Sequence, residues 1–99
     1  MFNVITTGGR EEAYRRSGYN RFTMRDFLVP LEQTARLCGM HYLPPFVAHG
    51  THQMPLQEME AHAEDYKRVL EAMRDGRLDL DSVQSSPRLN SHLDRVIRE

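Results

Sequence analysis

The run Val4-Ile5-Thr6-Thr7-Gly8-Gly9 constrains what this chain can fold into more than any other stretch. Four consecutive β-branched residues favour a pleated strand, and the two glycines remove every Cβ from the point where that strand stops. Backbone N–H groups at such an end lie open to whatever sits above it. Open parallel sheets bind ligands in that position, beyond the carboxyl ends of their strands. A strand over residues 2–6 is also too short to stand alone, so the rest of the chain has to supply neighbours.

Residues 8–22 read as a long polar loop broken by Gly8, Gly9, Gly18 and Asn20, and a loop of ~15 residues is usually functional or disordered. Thr23 then suits a helix cap, with Asp26 near the positive end of the helix dipole. Met24, Phe27, Leu28, Leu31, Ala35 and Cys38 share one face at helical spacing, and Gly39 ends the helix. Pro30 removes a hydrogen bond to Asp26, so the helix either bends or begins twice. A second strand, Tyr42 to Ala48, is interrupted by Pro44-Pro45; it is an edge strand that pairs on one side or only after Pro45. Pro55 opens the next helix, whose stripe Leu56, Met59, Ala63, Tyr66, Leu70 and Met73 runs out to Gly76.

Residues 77–86 read as a polar linker. Ser86 then caps, and Pro87 starts, a last helix with Leu89, Leu93, Val96 and Ile97 on one face. The order β, loop, α, β, α is the second half of a doubly wound parallel α/β unit. The expected division is therefore a partial α/β domain over residues 1–76 and a linker with a C-terminal tail helix over 77–99. Half a sheet leaves apolar surface open, and the tail face has no third layer to cover it. A homo-oligomer that buries Leu93 and Ile97 between chains follows.

The 99 residues allow one domain at most, and a domain of this size buries only about 60–65% of its unfolded surface. Thirteen basic and fourteen acidic residues give a net charge of −1, which gives no field for nucleic acid or an anionic membrane. No apolar window approaches a membrane span and no signal segment is visible, so direct membrane insertion is not expected and the cytoplasm is the default location. The single cysteine, Cys38, reads as a buried core residue rather than a redox centre.

The Thr6-Thr7-Gly8-Gly9 string with Tyr14 resembles the loop that runs along the flavin ring in flavodoxin-like NAD(P)H:quinone oxidoreductases. Asn20-Arg21-Phe22-Thr23-Met24, Leu28-Val29-Pro30, Leu37-Cys38-Gly39-Met40-His41-Tyr42-Leu43 and Pro45 extend the resemblance over residues 2–75. They are similar to the ancillary proteins of glutathione-gated Kef potassium-efflux systems, members of that family. The resemblance covers the second half of a family domain, without the phosphate-binding first half, and it favours one bent helix at Pro30. It implies flavin mononucleotide (FMN) as cofactor, NAD(P)H as reductant and a quinone as acceptor. It also implies docking on an efflux channel at the inner face of the membrane. Thr6, Thr7, Gly8 and Gly9 are then the flavin contacts, and Tyr14 donates a hydrogen bond to the acceptor carbonyl. The family's histidine six residues beyond that tyrosine is Asn20 here, which cannot relay a proton near neutral pH. An oxidoreductase-type chain without turnover of its own is the leading expectation; a non-enzymatic interaction module of the efflux system is the alternative.

The remaining polar residues have plainer readings. Arg10, Arg15, Arg16 and Arg21 lie beside Glu11 and Glu12 and read as a solvated mixed-charge loop, although arginines there could meet a phosphate or carboxylate. His49 and His52 straddle the end of the second strand, facing the same crevice as Gly8, and read as a solvated pair, with a substrate-side role as the alternative. The five histidines show no metal-ligand spacing. Neither a Ser, His and Asp arrangement nor a Walker-type loop appears, so hydrolase and NTPase chemistry have no basis.

Overall fold

A computed structural model describes residues 1–98. The chain carries strand β1 (Val4–Thr6), a 3₁₀ turn (Glu11–Tyr14), helices α1 (Met24–Phe27) and α2 (Val29–Leu37), and strand β2 (Phe46–Ala48). A second 3₁₀ turn (Thr51–Gln53) and helices α3 (Leu56–Arg74), α4 (Leu80–Gln84) and α5 (Leu93–Val96) complete it. β1 and β2 are parallel neighbours in register Val4 to Phe46, Ile5 to Val47 and Thr6 to Ala48. The regular ladder begins only after Pro45, because neither proline can donate to it, although Leu43 N–H already reaches Met1 O at 2.8 Å ahead of them. Alternate residues of β2 point to opposite faces of the sheet. On one side Val47 packs with Met24 and Leu28, and on the other Phe46 packs with Val69 and Ala72 of α3.

Thr23 and Asp26 form a reciprocal capping box: Asp26 N–H donates to Thr23 Oγ1 (3.1 Å) and Thr23 N–H to Asp26 Oδ2 (2.9 Å). The single bent helix implied by the resemblance is corrected, because the helix begins twice. Leu28 (φ −95°, ψ 1°) separates α1 from α2, and Pro30 sits in the first turn of the second segment, where its missing N–H costs nothing. α2 ends at Gly39 (φ +71°), where Met40 N–H closes back on Ala35 O at 2.9 Å. Of the six residues expected inside, only Met24, Leu28 and Ala35 are buried. Cys38 is exposed, which corrects its assignment to the core. Two strands of three residues offer too little area to cover the full helix face.

The same limit rotates α3. Its core residues are Val69 and Ala72, with Tyr66 at the margin. Apart from Tyr66, the expected stripe lies one position round and faces outward, with Leu56, Met59, Leu70 and Met73 exposed by 69, 44, 46 and 39%.

The C-terminal segment differs most from expectation. Residues 77–86 contain α4 rather than a linker alone, and α5 spans four residues instead of starting at Pro87. Leu78 and Ile97 form an antiparallel bridge. Leu89, Leu93, Val96 and Ile97 are all buried, but within their own chain, in one cluster with Phe46, Val69, Ala72 and Val83. The tail therefore needs no exchange between chains to cover its apolar face. It also seals the outer edge of β2. The Asn90 amide gives Nδ2–H to Val47 O (2.8 Å) and accepts Val47 N–H at Oδ1 (3.1 Å), while Leu89 N–H donates to Pro45 O (2.7 Å). A single side chain thus does what a third strand would do. The other edge of the sheet, along β1, pairs with no strand among the described residues.

Candidate functional site

Above Thr6, the two chains leaving the sheet are tied together. Thr7 N–H donates to Ala48 O (3.0 Å), Gly50 N–H to Gly9 O (2.9 Å), and Thr51 N–H to Thr7 O (3.0 Å). Thr6 faces solvent and Thr7 faces inward, as strand alternation requires. The Thr7 hydroxyl lies 2.8 Å from both Gly9 O and His49 Nδ1. It has one proton to give. When that proton goes to Gly9 O, the oxygen accepts from His49 Nδ1–H, and Nε2 becomes the proton acceptor of the ring.

Tyr14 closes the crevice from the long loop. Its ring lies against His49 (centroids 5.2 Å apart) and meets Phe27 edge-on at 6.0 Å. A 3₁₀ turn delivers it there, so residues 8–22 are not structureless. Asn20 is held by its backbone N–H to Ala13 O at 3.0 Å. Its side chain makes no hydrogen bond to Thr6–Gly9 or Tyr14 among the described residues. The structure thus brings Thr7, Gly8, Gly9, Tyr14 and His49 together and leaves Asn20 aside. A Cβ at Gly8 would lie 2.5 Å from the ring of His52, an exposed side chain that would have to swing aside to admit it. The Gly8 φ is not positive, so only space would oppose a side chain.

Two clefts flank this cluster. The larger, about 630 Å³, runs from Gly8, Gly9 and Arg10 across His49 and His52 to Glu58. The smaller, about 230 Å³, lies behind Tyr14 and is walled by Met24, His49, Pro87 and Arg88. His49 is half-buried, and its pKa is held below the ordinary 6.5, first by burial and then by the Arg88 charge, against the pull of Glu11 and Glu12. Among the described residues, no group of three or more His, Cys, Asp or Glu is arranged to hold a metal, and no helix is long and apolar enough to cross a membrane.

Two members of the site are not assigned to it by the leading sequence reading. His49 reads as a solvated residue, and only the parallel pairing of β1 with β2 brings it onto Thr7. Arg88 carries no local signal, since it reaches the crevice because Leu89 and Asn90 anchor the tail on β2.

A parallel sheet with helices on both faces and a ligand-accessible crevice at the strand ends defines a doubly wound α/β protein. Residues 1–72 match the family described as "Flavodoxin-like fold", and the chain belongs to that family. It is 42% identical over 67 residues to the glutathione-regulated potassium-efflux system ancillary protein KefG of Cronobacter sakazakii, covering 68% of this chain and 36% of that protein. The KefG of Yersinia enterocolitica is 40% identical over 70 residues, or 71% of this chain and 38% of the relative. The chain thus spans little more than a third of the length of these curated relatives. No solved structure matches it.

Proposed function

We propose that this chain forms the ring-binding half of an FMN-dependent NAD(P)H:quinone oxidoreductase-type protein, with residues 1–76 as the family unit and 77–99 as an appended tail. The observation that carries this reading is the bare strand end. The N–H groups of Gly8 and Gly9 make no hydrogen bond among the described residues, and neither residue puts a Cβ in front of them.

Those donors fit the pyrimidine end of a flavin, where negative charge gathers on reduction. FMN, when bound, would supply the two-electron chemistry between NAD(P)H and a quinone. Thr7 fixes the loop through Gly9 O, and Thr6 offers its exposed hydroxyl beside the ring position. Tyr14 presents a hydroxyl donor to a quinone carbonyl. His49, through Nε2, is the group able to hold or deliver a proton there, a role Asn20 cannot take. His52 lies over Gly8 and is the side chain a flat ring would displace or stack upon. The contacts available here are ring contacts, so turnover by the chain alone is not expected. Quinone reduction assayed with NADH and NADPH after FMN addition tests this: a rate above that of free flavin would overturn the incomplete-enzyme reading.

A second reading is favoured by the exposed stripe of α3 and by the ancillary function in the relatives' names. In it the chain acts without turnover as an interaction module of a Kef-type potassium-efflux system, held at the inner membrane face through that partner and self-associating through α3. Purified protein that stays colourless after FMN addition, yet changes efflux when co-expressed with a Kef-type channel, would favour this reading.

A further inference from the structure

We propose that the smaller cleft is a binding site for a flat apolar ligand that carries a carboxylate, with Arg88 of the tail as its main anion contact. The inference does not rest on flavin binding. Tyr14, Met24 and Pro87 give the cleft apolar walls, while Arg15, Arg25 and Arg88 bring guanidinium groups to its rim. Arg25 is committed elsewhere, to Glu32 at 3.3 Å. Arg15 and Arg88 instead share one carboxylate. Glu11 Oε1 lies 3.3 Å from Arg15 and Oε2 lies 3.7 Å from Arg88.

Two cations thus face one anion, and each guanidinium has N–H donors to spare. The longer Arg88 contact exceeds hydrogen-bond range, so Arg88 holds its partner loosely. Its side chain is only 26% exposed, where charge is screened less than in open solvent. Glu11 sits where a ligand carboxylate would sit and acts as an internal competitor for it. A planar body extending inward from that carboxylate would meet the Tyr14 ring and Met24. Carboxylate is favoured over phosphate because the clamp already holds a carboxylate and the walls beyond it are apolar. Arg88 lies outside the residues that match the family, so the site is specific to this tail.

Benzoate is the probe, titrated into the full chain without flavin and followed by amide NMR shifts. Saturable shifts at Tyr14, His49 and Arg88 are expected, with neutral benzamide at least about tenfold weaker. Arg88→Gln should weaken benzoate about tenfold at unchanged melting temperature, and Glu11→Gln, which removes the competitor, should tighten it severalfold. Equal binding of benzamide, or benzoate affinity unchanged in both variants, would overturn the proposal. Inorganic phosphate that displaces benzoate at equal concentration would overturn the carboxylate assignment.

Discussion

Leu89 tests the packing most sharply, because the sequence places it on a tail face with no cover in its own chain, and the structure covers it with that chain's core. It is fully buried, with 0% exposure, among Phe46, Val69, Val83 and Val96. Truncation to alanine removes three heavy atoms from a closed cluster and leaves a cavity, at a cost of about 2–5 kcal/mol. A domain of this size loses about 4–8 °C of melting temperature per kcal/mol, so Leu89→Ala should lower it by more than about 8 °C. The loss should be the same at low and high protein concentration, since the partners belong to one chain. Circular dichroism melts at two concentrations about 50-fold apart are the assay. A fall under about 2 °C would mean that the tail is undocked. A melting temperature that rises with concentration in the wild type and loses that dependence in the variant would restore tail exchange between chains.

Asn90→Ala removes both side-chain bonds to Val47 and leaves a strand N–H and C=O open; it should cost about 1–3 kcal/mol, read by urea denaturation. For His49, whose pKa is lowered on folding, the unfolded chain takes up the proton first as pH falls, so its stability contribution is complete above about pH 6.5 and is lost below it. The melting temperature of wild type should therefore drop more than that of His49→Asn between about pH 7.5 and about pH 5.5; parallel profiles would contradict this. Leu70→Glu with Met73→Glu, on the exposed face of α3, should leave stability within about 0.5 kcal/mol but reduce self-association in sedimentation. A monomeric wild type at ~100 μM would remove α3 as the association face.

Local signals in the sequence transferred well. The β-branched run became β1, the Thr23–Asp26 cap closed in both directions, and Pro45 marked where the regular ladder starts. These features act over a few residues, so the rest of the fold cannot displace them. Some failures were of element bounds, at Pro30 and after Gly76, and the rest were tertiary. A 3.6-residue period fixes a helix but not which side of an apolar stripe meets the sheet, and on α3 a shift of one position put Leu56 and Met59 outside. Cys38 follows the same logic, since its face of α2 has no strand to meet. Leu89, Leu93, Val96 and Ile97 were legible as an apolar face but not as to partner, because the decisive contacts of Asn90 and Leu89 reach across more than forty positions to the second strand segment. The site divided likewise. Thr7, Gly8, Gly9 and Tyr14 were picked out by the loop's resemblance to the family, whereas the placing of His49 and Arg88 depended on strand pairing and tail docking.

The proposed flavin contacts at the strand end are ring contacts, and a paired fluorescence titration with FMN and riboflavin tests them most directly. Riboflavin is the same ring without the phosphate. Both should bind with dissociation constants above about 1 μM, within about threefold of each other, and Gly8→Val should weaken both about tenfold or more. FMN binding about 100-fold tighter than riboflavin, or neither flavin sensitive to Gly8→Val, would contradict the account.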